Sequence, residues 1–155
     1  MTTTPESSRP RIEGLRFEQV KVGQDLPELV IDLTPTVIIS TAIASRDYQD
    51  VHHDRDLALK RGSKDIFMNI LSTNGFVGRF ITDWAGPAAI LRRVEIRLGV
   101  PNYPYDQMRL TGTVKSAEII DGKGTVEIAM RGENGLGDHV RGTVRLVLPL
   151  EAAAP

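Results

Sequence analysis

DIFMNILSTNGFVGRFITDWA, residues 65–85, is the longest helical candidate in this 155-residue sequence and decides the fold class. Its apolar residues recur at three- and four-residue intervals, as from Phe76 to Phe80, which is the spacing of a helix. Apolar residues also occur nearly all round it, a pattern typical of a helix buried on most sides. Gly75 and Gly78 each cost about 1 kcal/mol of helix stability relative to alanine. Close packing of another backbone against that face would explain both glycines.

The residues before this segment predict one strand and one shorter helix. Residues 28–33, ELVIDL, are short, apolar and β-branched, which favours a strand. Thr34 and Pro35 then give a helix start, with a hydroxyl N-cap followed by proline at the first helical position. We expect this helix over residues 36–47, where apolar residues keep close to helical spacing. Residues 57–61 predict a further short helical turn.

The second half of the chain alternates with a period of two, which indicates strands. The alternating runs cover residues 91–100, 108–120, 125–131 and 140–149. Gly, Pro, Asn and Asp residues separate these runs, which favours tight turns and an antiparallel sheet. One strand, a central buried helix and a four-stranded meander together describe a sheet curled around a helix. The predicted class is therefore α+β, with the hot-dog architecture.

Composition indicates one domain and argues against several functions. Hydrophobic residues make up 41% of the chain. The formal net charge is only −1, which gives no electrostatic case for nucleic acid or a membrane surface as partner. The chain has no cysteine, which excludes disulfides and thiolate chemistry. We expect one domain over residues 15–150, a disordered tail over 1–14 and a second tail over 151–155. Without an apolar signal core or membrane-length run, a cytoplasmic protein is expected.

The polar turn RDYQDVHHDRDLA, residues 46–58, carries a candidate acid–base pair. Asp47 and His52 lie five residues apart, which on a continuous helix would place them about 140° from each other. If the helix ends near Asp47 and the chain turns, the carboxylate and the imidazole can face one small volume. Such a pair can polarise water, take its proton and deliver a proton to carbon. From the spacing alone, the alternative is a capping or salt-bridged Asp47 and an exposed loop His52.

This turn resembles the signature of the MaoC-like, R-specific enoyl-CoA hydratase family, which runs Asp, any residue, Asn, Pro, aliphatic, His. Asp47 and His52 match its two ends, and Asp54 and Ala58 also fit the family pattern. The order of elements agrees over residues 23–149. The resemblance implies the hot-dog fold and hydration of an enoyl thioester, with Asp47 and His52 as the acid–base pair.

Three positions depart from the family pattern. Gln49 stands where the family has Asn. Asp50 replaces its Pro, so the rigid helix stop is missing and a second carboxylate lies near the site. Asn69 stands at the glycine usual in the first turn of the buried helix. These departures point away from ordinary straight-chain substrates but leave both acid–base residues in place.

Residues 47–86 are similar to the small MaoC-like subunits of actinobacterial steroid side-chain hydratases. The resemblance implies that the substrate is a pregnadiene-carboxyl-CoA, hydrated before an aldolase removes the side chain. It also implies a heteromer with a larger protein that has a second MaoC-like domain and a DUF35 domain, with two copies of each chain and the aldolase as a further partner. In such heteromers the small subunit supplies the catalytic Asp and His, and the degenerate partner leaves room for the steroid.

The implied mechanism places one water molecule between Asp47 and His52, which remove its proton as oxygen attacks the β-carbon. Gln49 is expected to help orient the substrate. Backbone N–H groups near Met68 and Asn69, at the start of the buried helix, are expected to stabilise the thioester oxygen. The CoA thioester is the substrate, and no metal or redox cofactor is expected.

Other polar residues give weaker hypotheses. Three basic residues could contact CoA phosphates, with a solvated basic loop as the alternative. They are Lys60, Arg61 and Lys64. His53 and His139 could complete a three-histidine metal site with His52, but the usual i, i+4 pairing of such sites is absent.

Two other functions stay open from the sequence. A thioesterase of the same fold would direct water at the carbonyl carbon instead of the β-carbon. A non-catalytic subunit would only complete the fold of a partner, but such a subunit would be free to lose Asp47 and His52.

Overall fold

A computed structural model describes residues 14–151 as an antiparallel sheet with one long helix packed against it. Within that range the chain forms five strands and three α-helices. The strands are β1 (Leu29–Leu33), β2 (Ile90–Leu98), β3 (Asp106–Ile120), β4 (Lys123–Asn134) and β5 (Gly137–Leu148). The α-helices are α1 (Pro35–Ala44), α2 (Arg55–Lys60) and α3 (Ile70–Ala85), and 3₁₀ turns occupy Phe17–Gln19 and Asp50–His52. Apart from Gly14 and Glu151, the two predicted tails lie outside the described residues.

The strands lie in the order β1-β3-β4-β5-β2, and every neighbouring pair is antiparallel. β3, β4 and β5 follow one another as hairpins, and the β3–β4 turn uses Asp121 and Gly122 in left-handed conformations. Asp-Gly is a favoured pair for such a turn because its twist matches that of the strands. The α+β class and the hot-dog order of elements are as predicted. The predicted four-stranded meander is wrong in one strand, because β2 pairs with β5 at the far edge of the sheet instead of with β3.

The core lies between α3 and the sheet. Val77, Phe80 and Ile81 of α3 are buried against apolar residues that alternate along β3, β4 and β5. Gly112 of β3 is needed at this contact, because a Cβ there would lie only 3.1 Å from the Phe80 ring. The period-two pattern of the strands therefore supplies the surface on which the buried helix packs.

The opposite face of α3 is open, which corrects the expectation of burial on most sides. Ile70 is 51% exposed and Leu71 is 50% exposed. A Cβ added at Gly75 would meet no atom within 4 Å, and one at Gly78 would meet only a methyl of Leu91 at 3.8 Å. Close packing by another backbone within the described chain therefore does not explain these glycines.

Both helices beside the polar turn are shorter than predicted. α1 ends at Ala44 instead of residue 47, because Arg46 adopts a left-handed conformation with φ 59°. α3 begins at Ile70, five residues after the predicted start, with Asn69 as its N-cap. Of the preceding residues, Phe67 donates its N–H to the Val51 carbonyl and Met68 to the Asn102 carbonyl, so this stretch bonds to other segments instead of continuing the helix.

Candidate active site

The turn after α1 places the Asp47 carboxylate. The left-handed Arg46 reverses the chain, and the Asp47 N–H donates back to the Ala42 carbonyl over 3.0 Å. The Ser45 hydroxyl donates to the Thr41 carbonyl over 2.8 Å, which ties the end of the helix. The Asp47 side chain is thereby held beside the helix end and stays partly accessible, with 22% of its surface exposed.

His52 lies at the end of the 3₁₀ turn and is buried. Its Nδ1 lies 2.7 Å from the Phe67 carbonyl oxygen. A carbonyl oxygen can only accept, so Nδ1 carries the hydrogen and Nε2 of the neutral ring is an acceptor. The Phe67 ring packs edge-on against the imidazole, with centroids 4.9 Å apart. The tautomer and the orientation of the ring are therefore both fixed.

Asp47 and His52 face each other, as the hypothesis of a shared volume predicted. The distance from Asp47 Oδ2 to His52 Nε2 is 3.4 Å, longer than the roughly 2.7–2.9 Å of a strong charge-assisted hydrogen bond. The hydrogen bond from the Asn69 amide, followed by that from the Gln49 N–H, holds the pKa of Asp47 below its ordinary value despite partial burial. Two acceptors thus converge, an arrangement suited to a water molecule that donates one hydrogen to each.

Asn69 contacts the pair through its side chain, a role that sequence reasoning missed. Its Nδ2 donates to Asp47 Oδ2 and to the Ser45 hydroxyl oxygen, both over 3.0 Å. Its Oδ1 accepts from the Ser72 N–H over 2.9 Å and from the Ser72 hydroxyl, so Asn69 also caps α3. The available signal was an Asn directly before an apolar helical run, which is typical of an N-cap.

Gln49 and Met68 are the other two residues that were expected to orient the substrate. The Gln49 N–H donates to Asp47 Oδ1 over 3.2 Å, and its side chain is exposed. The Met68 N–H donates to the Asn102 carbonyl over 3.0 Å, so it is not free to contact a thioester oxygen. Within the described residues, the N–H groups of Asn69 and Ile70, at the start of α3, have no protein acceptor.

The three basic residues do not converge on one site. Lys60 is exposed on α2, and Arg61 forms an ion pair with Asp50 over 2.8 Å. Lys64 lies 6.0 Å from the ring centre of Tyr103. The hydrogen bond from Arg61 is the main cause that lowers the pKa of Asp50, so this second carboxylate is engaged away from His52. Nothing in their placement distinguishes a phosphate site from a solvated basic loop.

The remaining histidines are separate from one another. His53 is exposed, whereas His139 is buried on β5 between the Thr73 hydroxyl and the Val100 carbonyl. Across residues 14–151, no cluster of three or more His, Cys, Asp or Glu side chains is suited to hold a metal ion. In the same range, no helix has the length and apolar character needed to cross a membrane.

An apolar groove runs between α1 and α3 beside the pair. Its volume is about 360 Å³. Its lining is formed by Thr41, Ala44, Ser45, Leu71, Ser72, Gly75, Phe76 and Arg79. Since Ser45 and Ser72 both hydrogen-bond to Asn69, the groove adjoins the residue that contacts the Asp47 carboxylate. The groove on the open face of α3 thus reaches the residues that hold Asn69, which in turn bonds to Asp47.

The fold is shared with R-specific hydratases of known structure. R-hydratase PhaJ1 from Pseudomonas aeruginosa has a TM-score of 0.80 at 21% identity, covering 92% of this chain and 94% of that one. The (R)-hydratase of A. caviae involved in PHA biosynthesis has a TM-score of 0.77 at 16% identity, covering 85% and 99%. At these identities the comparisons show a shared fold, so the chain has the hot-dog architecture of R-specific hydratases.

Two proteins of Mycobacterium tuberculosis are more similar to this chain in sequence than the two hydratases above. One chain in the crystal structure of the ChsH1–ChsH2 complex is 50% identical, with a TM-score of 0.79, covering 84% of this chain and 99% of that one. The 3-oxo-4,17-pregnadiene-20-carboxyl-CoA hydratase beta subunit is 54% identical over 125 residues, 81% of this chain and 94% of that protein. No family model matches the sequence. The chain belongs to the MaoC-like enoyl-CoA hydratase family and is, by that membership, a hydro-lyase.

Proposed function

We propose that this chain is the catalytic subunit of an enoyl-CoA hydratase that uses Asp47 and His52 to add water to a steroid side-chain thioester. The observation that carries the proposal is the convergence of two acceptors, Asp47 Oδ2 and His52 Nε2, 3.4 Å apart. The Phe67 carbonyl fixes the histidine tautomer, and the lowered pKa of Asp47 keeps its carboxylate ionised at neutral pH. Water held between them keeps its oxygen lone pairs free for attack.

The reaction adds the elements of water across the carbon–carbon double bond. The water oxygen bonds to the β-carbon as the pair takes one of its protons. The π electrons of the double bond move toward the thioester carbonyl and give an enolate-like state. The N–H groups of Asn69 and Ile70, at the positive end of the α3 dipole, stabilise that oxygen. The pair then delivers the proton to the α-carbon, which balances the addition.

Two observations support a bulky acyl group. The relative that is 54% identical is named for a pregnadiene-carboxyl-CoA. The groove between α1 and α3 is mainly apolar and widened by Gly75, where no side chain projects. We assign the pregnadiene part of the substrate to this groove and the thioester to the end next to Asn69.

The active assembly is a heteromer. One relative is a beta subunit, and another occurs in the ChsH1–ChsH2 complex. We propose that the partner is a larger MaoC-like chain with a DUF35 domain and that the assembly holds two copies of each chain. An aldolase then removes the side chain from the hydrated product, and both reactions take place in the cytoplasm. The exposed face of α3 around Ile70, Leu71 and Gly75 borders this groove and supports a partner surface that closes over the bound substrate.

A two-signal assay on the co-expressed complex tests the function. Hydration removes the enoyl absorbance of the pregnadiene-carboxyl-CoA without releasing thiol, whereas a thioesterase releases free CoA thiol. Asp47→Asn and His52→Ala complexes provide the matched controls. Thiol release by the wild-type complex would support the thioesterase instead. Full hydratase activity in both variant complexes would make this chain a non-catalytic subunit.

A further inference from the structure

The start of α3 carries an amide side chain that contacts both the acid–base pair and the helix end. Asn69 is 2% exposed, and each polar atom of its side chain has a partner. Nδ2 donates to Asp47 Oδ2 and Ser45 Oγ, and Oδ1 accepts from the Ser72 N–H. The helix cap and the carboxylate are therefore joined through one buried group.

The orientation of this amide is fixed by its neighbours. A backbone N–H can only donate, so the atom that faces the Ser72 N–H must be the amide oxygen. The NH₂ group is then directed at Asp47 and Ser45. Because the Ser45 hydroxyl already donates to the Thr41 carbonyl, its oxygen is free to accept from Asn69. Rotation of the amide would break both the cap and the contact with the carboxylate.

Capping alone does not require this residue. Serine and aspartate cap helices about as well as asparagine does. Neither side chain offers an NH₂ group that can reach the carboxylate while its oxygen caps the helix. A glycine, which the MaoC-like pattern has here, would offer no side-chain contact at all. The feature specific to Asn69 is the bond to Asp47.

We propose that Asn69 is a positioning residue, whose amide holds the Asp47 carboxylate against His52 from the first turn of α3. This inference rests on the proposed function, because positioning has a kinetic meaning only if Asp47 and His52 are the acid–base pair. The substrate thioester, bound at the N–H groups of the same turn, is thereby fixed relative to the water-activating groups. The first turn of α3 thus positions both the thioester and the Asp47 carboxylate that activates the water.

The electrostatic consequence follows from the same contact. The Asn69 hydrogen bond is the largest cause that lowers the pKa of Asp47, and the titratable groups that face this carboxylate are His52 and His53. Removal of the amide therefore raises the pKa of Asp47. The acid limb of the activity profile moves to higher pH.

The test compares Asn69→Ser with Asn69→Asp in the full chain, in the assembly that carries hydratase activity. Both variants keep an oxygen that can cap α3, and neither has the NH₂ group. We expect kcat to fall by about 10- to 100-fold, the scale of a misplaced reacting group. We expect KM to change little and the acid limb to shift upward. Asn74→Ser makes the same amide-to-hydroxyl change at an exposed α3 position and should leave all three quantities unchanged.

A second readout does not depend on activity. Titration of the Asp47 carboxyl carbon by NMR should give a higher pKa in Asn69→Ser than in the wild type. Wild-type kcat, pH profile and Asp47 titration in a folded Asn69→Ser variant would overturn the proposal. A raised Asp47 pKa without any hydratase activity in the wild type would instead refute the proposed function and leave the positioning contact established.

Discussion

Two buried histidines, His52 and His139, make the same Nδ1 hydrogen bond but have different surroundings at Nε2. Nδ1 of His52 donates to the Phe67 carbonyl and Nδ1 of His139 to the Val100 carbonyl, each over 2.7 Å. Nε2 of His139 accepts from the Thr73 hydroxyl over 2.8 Å, whereas Nε2 of His52 faces the Asp47 carboxylate. Burial and tautomer therefore do not distinguish a catalytic imidazole from a structural one. The atom that Nε2 faces does.

The polar groups and the burial around the two rings support this distinction. Burial lowers the pKa of His139, so its ring stays neutral and serves as a fixed link between β5 and α3. At His52 a carboxylate oxygen lies 3.4 Å from Nε2, so a water molecule beside both atoms can donate one hydrogen to each. His139 is held by two short protein hydrogen bonds, whereas Nε2 of His52 lies 3.4 Å from an Asp47 oxygen, beyond the length of a strong hydrogen bond.

The largest expected effect is a loss of turnover when His52 or its partner Asp47 is changed. His52→Ala and Asp47→Asn should each lower hydratase turnover by at least about 100-fold, the usual scale for a positioned acid–base group. The measurement is enoyl absorbance with each variant in its complex, after circular dichroism has shown that it is folded. Near-wild-type turnover in either variant would remove the catalytic assignment.

Asp54→Ala is the matched control for that experiment. The Asp54 carboxylate caps α2 by accepting from the Leu57 N–H over 3.0 Å. Its loss should cost about 1 kcal/mol of stability, typical of an N-cap, and leave turnover close to wild type. If Asp54→Ala loses as much turnover as Asp47→Asn while staying folded, the wrong carboxylate has been chosen.

The second prediction concerns the stability that His139 supplies. His139→Ala should lower the free energy of unfolding by about 2–4 kcal/mol, because it leaves a cavity and two buried groups without their partner. His53→Ala, at an exposed position, should change it by less than about 0.5 kcal/mol. Urea unfolding of both variants decides the matter. Equal stabilities would mean that His139 is not a structural link.

The third prediction is that the free energy of unfolding depends on pH through His139. Its pKa in the folded chain lies below the ordinary value of 6.5, so the unfolded chain binds more protons between the two values. The free energy of unfolding should therefore fall as pH drops from 6.5 through the folded pKa. Asp47, whose pKa is lowered from 3.8, contributes stability that is lost only in more acidic solution. His139→Gln should flatten the first component and keep the second, as measured by urea unfolding from neutral pH to below 3.8.

Much of the fold could be predicted from the sequence, because strand alternation and helix periodicity are local signals. The helix boundaries could not, since they depend on the left-handed Arg46 and on the Asn69 cap. Spacing alone left Asp47 and His52 ambiguous, and the family resemblance supplied their pairing before the structure brought them together. The Thr73–His139 bond joins residues 66 positions apart, and no local pattern encodes such a contact.

The smallest expected effect concerns the open face of α3, on the side away from His139. Gly75 is exposed in the helix interior, and an added Cβ would meet no atom within 4 Å. Gly75→Ala should therefore raise the stability of the separately expressed chain by about 0.5–1 kcal/mol through helix propensity. Gly78→Ala, whose Cβ would touch only Leu91, serves as the propensity control.

If a partner backbone packs on Gly75, the methyl group of Gly75→Ala must weaken the heteromer although it stabilises the chain. Light scattering of chain mixed with partner, beside thermal unfolding of the chain alone, measures the two effects. Stabilisation with unchanged association would show that the open face of α3 is not where the partner packs.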